Sequence, residues 1–375
     1  MQLSETIKLY MTKEQKNPVV MAMNEYISTV NGLVSVATNG TSISKYTTAD
    51  VDAALPSALT NQCIRDARSI VNKYNKGCRK VSAKSKKLAK QKSAITIKEP
   101  AIPVLKRPCC YINNQNFKIK DNYIDFPVLI DGKSKRISVR TSMTDKQKII
   151  FANAKLGTMR IVCKRNKIVA QVIYEAAELQ YFDDGNVMGV DLGIKCPAVS
   201  YCSDGSVKFY GNGRRNKYMR RHYKYLRKKL QKAKKPAAVI KINNKEQRIM
   251  KDIDHKLSHD IVATAAAHNV SVIKLEQLQN IRSTTRTSRK NNHSLHTWPF
   301  YRLAQYIEYK AKLAGIQVEY VNPAYTSQRC SICGNIHHAN DRNYTCKCGF
   351  RTHRDLLGAR NICNSTEYVG NRHTA

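Results

Sequence analysis

Two pairs of cysteines near the C-terminal end constrain this chain more than any other feature. Cys330-Ser-Ile-Cys333 is followed, after twelve intervening residues, by Cys346-Lys-Cys348. Gly334 and Gly349 each follow the second cysteine of a pair. A residue without Cβ suits the tight turn that directs backbone amides toward thiolate sulfur. Four thiolates at this spacing suit one structural zinc ion in a closed tetrahedral site. The other cysteines, the adjacent Cys109-Cys110 included, form no second four-ligand pattern.

Charge narrows the class of partner. The 375 residues carry 65 Lys+Arg against 27 Asp+Glu, a formal net charge of +38. A surface this positive repels itself unless a polyanion is bound. Nucleic acid is that polyanion, because phosphates neutralised by Lys and Arg release condensed counterions. The charge is spread along the chain rather than gathered in a tail. No run of about 18 apolar residues predicts a membrane helix. The start, Met1-Gln-Leu-Ser-Glu-Thr, lacks the basic and apolar segments of a signal peptide. A cytoplasmic location follows as the expectation, with the 12 cysteines as thiols or metal ligands rather than disulfides.

Periodicity divides the chain. Residues 5–10 alternate as a strand, and a helix is expected over about Glu14–Val36, with Val20, Met23, Ile27 and Val30 on one face. A second helix is expected over about Thr48–Lys76, followed by a very basic stretch to Lys92. Short β-rich runs then extend from Ile95, Ile97, Ile102 and Val104 to the 160–174 stretch. They are broken by turns such as Asp131-Gly132 and suggest a small antiparallel barrel or sandwich. Residues 187–193, 196–202 and 207–210 read as three antiparallel strands, the start expected of an RNase H-like fold. A long basic helix over Arg214–Lys235 carries Arg220, Arg221, Arg227 and Lys228, interleaved with tyrosines. Like charges on adjacent turns destabilise an isolated helix, which favours phosphate contact. A helix over Glu246–His268, a strand ending at Glu276, a polar loop over 282–293, a helix over Trp298–Ala314 and a strand over Ile316–Val321 complete the pattern ahead of the cysteines.

Three carboxylates stand out against this pattern. Asp191 lies in the apolar strand Met188-Gly-Val-Asp-Leu-Gly, Glu276 ends Val272-Ile-Lys-Leu-Glu, and Asp355 opens the short helix after the cysteines. A carboxylate on a sheet face is costly unless its charge is compensated. Three of them converging make an oxygen-rich pocket for magnesium, and two such ions about 4 Å apart support in-line phosphodiester hydrolysis.

These segments resemble the TnpB proteins of insertion sequences, a nuclease family that also resembles the type V CRISPR effectors. The resemblance rests on Gly189-Val-Asp-Leu-Gly-Ile-Lys195, Lys274-Leu-Glu-Gln-Leu278, Asp254-His-Lys-Leu-Ser258, and the run from Thr326 through the cysteines to His353-Arg-Asp355 and Gly358-Ala-Arg-Asn-Ile362. It implies a multidomain α+β protein. In it, a wedge-like β-barrel (1–13 and 94–185) is interrupted by a helical recognition lobe (14–93). A RuvC-like nuclease domain of RNase H fold (186–325 and 350–365) follows, with an inserted zinc ribbon (326–349) and a polar tail (366–375). It implies Asp191, Glu276 and Asp355 as catalytic carboxylates holding about two Mg2+, one structural Zn2+ on Cys330, Cys333, Cys346 and Cys348, a noncoding guide RNA, and target double-stranded DNA. The sequence departs from the family in two places. The second cysteine pair is CxC rather than CxxC, with His337, His338 and His353 as substitute ligands, and Leu357 stands where the family often has asparagine.

The expected function is RNA-guided DNA cleavage by a transposon-associated endonuclease. A compact type V CRISPR effector, a non-cleaving RNA-guided repressor, and a zinc-ribbon DNA-binding factor without RNA are the alternatives.

Overall fold

A computed structural model describes residues 1–90, 97–164, 167–242, 244–278, 295–339 and 341–369. The expected polar loop at 282–293 lies outside them. The described residues form two units, Met1–Ala177 and Glu178–Ala375.

In the first unit, β1 (Gln2–Tyr10) buries Ile7 and Leu9 on one face, the period-two pattern of a strand. It pairs with β7 (Lys167–Glu175) on one side and β5 (Lys133–Ser142) on the other. The sheet is completed by β2 (Cys109–Ile112), β3 (Lys118–Lys120), β4 (Tyr123–Ile130) and β6 (Leu156–Lys164), with the short helix α3 (Asp145–Asn153) between β5 and β6. Its seven strands run antiparallel in the order β2-β6-β7-β1-β5-β4-β3. Asp131 and Gly132 join β4 to β5 with φ of 51° and 71°, the paired left-handed residues that a two-residue hairpin requires.

Helix α1 (Lys13–Thr38) begins with a capping box in which Thr12 and Gln15 satisfy each other's backbone N–H groups. Its buried stripe is Val19, Met23, Tyr26 and Val30, so Val20 and Ile27 sit at the stripe's edge rather than its centre. The second helix, α2, spans Ser57–Lys90 rather than 48–76. Pro56 disfavours helical backbone at Leu55, which sets the later start, and the lysine-rich stretch is itself a good helix former, which sets the later end. Tyr26 donates to Asp66 at 2.7 Å and ties the two helices together. Residues 97–108 form no strand, Ile95 lies outside the described residues, and the chain enters β2 only at Cys109. Pro100 and Pro103 remove ladder donors there, and Ile102 and Val104 are exposed.

The second unit is built on a mixed five-stranded sheet. Strands β8 (Asn186–Asp191), β9 (Ala198–Cys202) and β10 (Val207–Tyr210) are antiparallel; β11 (Val270–Glu276) runs parallel to β8, and β12 (Gln317–Val321) parallel to β11. The order is β10-β9-β8-β11-β12. Gly205, at φ 88°, makes the turn between β9 and β10. Helix α4 (Gly213–Lys232) is followed by α5 (Pro236–Ile242), α6 (Lys245–Ala267), α7 (Phe300–Leu313) and α8 (Arg354–Asn364). Met188 and Val190 share an apolar core with Leu257, Ile261 and Ala265 of α6 and Ile307 and Ala311 of α7. The intervening Gly189 faces the other side, where α8 lies. Among the described residues, no helix is long and apolar enough to cross a membrane.

Candidate active site and cysteine cluster

Strand register brings the first two acidic residues together. Val190 pairs with Leu275 in the parallel ladder between β8 and β11, so Asp191 and Glu276 are each one residue beyond a paired position, at the same end of two central strands. Neighbouring strands lie about 4.8 Å apart. Asp191 shares its face with Gly189, two residues earlier, and Glu276 shares its face with Lys274. Both faces meet α8. A Cβ on Gly189 would lie 2.8 Å from the Cα of Cys363 and closer still to the Ala359 carbonyl, so only glycine lets the helix backbone lie on the strand. A Cβ on Gly358 would stand 3.2 Å from Asp191 Oδ2. Lys274, buried, donates to the carbonyls of Cys363 (3.2 Å) and Ser365 (2.8 Å) and so caps the C-terminal end of α8. Asp355 sits in the first turn of α8, where its backbone N–H donates to His353 Nδ1 at 3.3 Å.

The electrostatics of this corner are those of crowded anions. Burial, then the charges of Glu276 and Asp355, raises the Asp191 carboxyl well above the usual range, against a partial offset from Arg342 and Arg354. Burial raises Glu276 to about 7, although the Thr326 hydroxyl donates to it. Asp355 Oδ1 accepts from Arg342, while its Oδ2 is buried with no hydrogen-bond partner among the described residues. Three hard-oxygen donors that repel one another, one of them with an unused buried oxygen, fit a divalent cation such as Mg2+.

The four cysteines form the second constellation. Their sulfurs lie within 4.8 Å of one another, with Cys330–Cys348 at 3.7 Å and Cys333–Cys346 at 3.5 Å. Sulfurs about 2.3 Å from one central zinc at tetrahedral angles are about 3.8 Å apart. The geometry therefore accommodates such an ion despite the CxC spacing, and without a histidine. Burial pushes the Cys330 thiol up, but the amides of Cys333 and Ile332 more than offset it and bring it to about 7. The Phe350 amide pulls Cys348 down, but burial and the neighbouring sulfurs outweigh it and push it up to about 12. Gly334 and Gly349 adopt φ of 73° and 91°, the left-handed turns expected of them. Strands β13 (Asn343–Thr345) and β14 (Arg351–His353) pair antiparallel and lead directly into α8. Leu357, where asparagine was expected, is buried with Cys330, Tyr344 and Cys346. Its side chain serves the cysteine module, not the acidic corner.

The basic helix separates into two sets of cations. Arg221 and Lys228 are exposed, as are Tyr218 and Tyr225. Arg220 instead donates to the Thr297 carbonyl, and Arg227 bridges Glu246 of α6 at 2.7 Å. Arg342, Thr326 and Lys274 were not expected to touch the acidic corner or its supporting helix. Thr326 and Lys274 stand in the segments that carry the family resemblance, but Arg342 carries no local signal.

Two acidic strand ends, a cysteine module and the helix that follows it with Asp355 are thus gathered in the second unit. The family model for the Cas12f1-like TNB domain matches residues 300–362, from α7 through the cysteines and into α8. The TnpB-like protein of Methanocaldococcus jannaschii is 30% identical over 257 residues, covering 64% of this chain and 91% of that protein. The CRISPR-associated endodeoxyribonuclease Cas12f1 of Sulfoacidibacillus thermotolerans is 28% identical over 218 residues, of which the chain spans 50%. That of Syntrophomonas palmitatica is 32% identical over 208 residues, and the chain spans 39% of it. A Cas12f1–sgRNA–target DNA complex solved by cryo-EM shares the fold, with a TM-score of 0.59 at 14% identity, over 97% of this chain and 99% of that one. The chain belongs to the TnpB/type V effector family.

Proposed function

We propose that this chain is an RNA-guided DNA endonuclease that hydrolyses phosphodiester bonds of target DNA at Asp191, Glu276 and Asp355. The observation that carries the reading is the convergence of these carboxylates, with Asp191 pressed by the charges of Glu276 and Asp355, beside the buried and unpartnered Asp355 Oδ2. In this reading residues 186–325 and 350–365 form a RuvC-like domain of RNase H fold. Its support is the antiparallel β8-β9-β10 opening with Asp191 in the first strand. Residues 1–13 and 94–185 form a wedge-like β domain around the helical lobe 14–93, supported by the pairing of β1 with β5 and β7 across the intervening helices.

Asp191, Glu276 and Asp355 would hold about two Mg2+. Such ions supply charge stabilisation at the attacking and leaving oxygens of an in-line displacement. Gly189, Gly358 and Lys274 position the helix that carries Asp355. Arg342 balances Asp355 from the cysteine module, whose Cys330, Cys333, Cys346 and Cys348 would hold one structural Zn2+. Arg221 and Lys228 would contact phosphate on the outer face of α4, while Arg220 and Arg227 brace that helix from inside. A noncoding guide RNA would supply sequence choice by pairing with the target DNA.

The test is to purify the full chain at moderate salt, sequence the RNA that comes with it, and reprogram that RNA against a chosen duplex. The reading expects one recurring RNA species and cutting of the matched duplex in magnesium. RNA of random sequence, or no cutting of the matched duplex, would overturn it.

A further inference from the structure

Each of the three carboxylates stands on a different element, so something must set the distances between them. Strand register does this for Asp191 and Glu276. For Glu276 and Asp355 the connection runs through a side chain outside the acidic corner. Asn361 lies on α8, six residues beyond Asp355. Its Nδ2 donates to the carbonyls of Thr326 and Arg329, both at 2.7 Å, so both amide hydrogens are used. Asn361 follows Leu357 by one helical turn and so shares the side of α8 that meets the cysteine module. Asp355 instead shares its side with Gly358 and Ala359, which lie against β8.

The turn that presents those carbonyls contains a strained position. It leads from β12 into the first cysteine pair, and Tyr325 within it has a φ of 61°, a left-handed conformation uncommon for a side chain of this size. Such residues persist where their surroundings over-determine them. Asn361 clamps the carbonyl of the very next residue, Thr326, and a second one three residues on. Thr326 is buried, and its hydroxyl donates to Glu276 Oε1. The Pro323 carbonyl also lies within reach of that hydroxyl at 3.2 Å, but a carboxylate is the stronger acceptor. The path from Asp355 to Glu276 is thus one helix, one amide and one hydroxyl.

We propose that Asn361 is a positioning residue for Glu276: its amide fixes the turn that carries Thr326, and through that hydroxyl the placement of Glu276 relative to Asp355. The proposal rests on the reading that these carboxylates share divalent ions. Groups that hold a metal's ligands from behind change ion affinity or activity by about 10–100-fold when removed. A residue that only stitched α8 to the cysteine module would lower stability and leave ion affinity unchanged.

The experiment measures Mn2+ binding, by electron paramagnetic resonance, to the full-length zinc-loaded protein freed of nucleic acid, with Asp191→Ala as the blank. Asn361→Leu, which matches the side chain in size but cannot donate, should weaken manganese binding about tenfold. Thr326→Val should do the same, and Thr326→Ser, which keeps the hydroxyl, should bind as wild type. The double variant Asn361→Leu/Thr326→Val should also lose about tenfold rather than about a hundredfold, because the two residues act in one chain. With guide RNA restored, cleavage of a saturating matched duplex in magnesium should slow in step with ion affinity while target affinity holds. One zinc per chain shows that the cysteine module is folded in each variant, and Asn361→Ser, small enough to admit a water, replaces a leucine variant that lacks it. Wild-type manganese affinity in the Asn361 variant, losses that multiply in the double variant, or a Thr326→Ser as weak as Thr326→Val would overturn the proposal and leave the nuclease reading intact. Manganese binding of wild-type strength in Asp191→Ala would sink the nuclease reading, and the proposal with it.

Discussion

The guanidinium of Arg342 donates to Asp355 Oδ1, and the two residues lie on opposite sides of the second cysteine pair. The cysteine module thus does more than lead the chain back to α8. It delivers the cation that balances the third carboxylate, whose side chain is 9% exposed against 35% for the arginine. Breaking an ion pair leaves the buried partner uncompensated, which costs 3–5 kcal/mol when both charges are deeply buried. The partial exposure of Arg342 reduces this to roughly 1–3 kcal/mol.

Arg342→Ala is therefore expected to lower the melting temperature in a chelator, and magnesium is expected to recover much of the loss by replacing the missing charge. Thermal melts of wild type and variant, with and without magnesium, measure this. An equal deficit in both conditions would mean that Arg342 and a divalent ion do not share the site.

Gly189→Ala places a methyl group where the backbone of α8 already lies. The helix must shift, and with it Asp355. Cleavage is expected to fall by about two orders of magnitude, since small displacements of catalytic groups cost that much. Zinc content should stay at one per chain, because the cysteines lie outside that contact. Wild-type cleavage by this variant, measured on a matched duplex, would show that α8 tolerates the displacement.

The cysteine module should respond differently. Leu357→Ala opens a cavity beside Cys330 and Tyr344 and is expected to cost about 2–5 kcal/mol. Cys333→Ser removes a ligand from the only group of three or more such donors, among the described residues, whose ligand atoms all lie within 4.8 Å of one another. Elemental analysis should find about one zinc in wild type and markedly less in Cys333→Ser. Cleavage should fall as well, because Arg342 and β14 both depend on the module. Full zinc in the serine variant would contradict the assigned ligand set.

Proton linkage gives a further expectation. Burial raises Glu276 from 4.5 to about 7, so the folded chain holds a proton there that the unfolded chain has released. Its contribution to stability is fully present below about pH 4.5 and is lost as pH rises through about 7. In a chelator, the melting temperature should fall between about pH 4.5 and about pH 7, and Glu276→Gln should flatten that fall. Divalent ions compete with the same proton, so the magnesium needed for half-maximal cleavage should decrease across this range. A magnesium requirement that rises with pH would contradict the account.

Much of this corner was legible in the sequence, for physical reasons. Asp191 and Glu276 stand out because a carboxylate in an apolar strand demands compensation, and the cysteine pairs because ligand spacing is local. Strands β8 to β10 are short runs bounded by turn residues such as Asp204 and Gly205, so their limits read directly. What could not be read depends on tertiary contact. Arg342 meets Asp355 only after β13 and β14 pair. The inward turn of Arg220 and Arg227 depends on where Thr297 and α6 meet α4, which a run of like charges does not reveal. Leu357 departs from the family's asparagine, and only the fold places it among the cysteines. The boundaries of α2 moved because a proline start and a lysine-rich end outweigh apolar periodicity.

The most direct measurement is paired: target binding and strand cleavage by wild type and Asp191→Ala, each in magnesium and in chelator. The account predicts that Asp191→Ala nearly abolishes cutting, since the remaining carboxylates cannot fix both ions. Guide and target binding should persist, and should tighten slightly as carboxylate–phosphate repulsion falls. Cutting by Asp191→Ala at the wild-type rate, or wild-type cutting that continues in chelator, would contradict the assignment of Asp191, Glu276 and Asp355 as the active site.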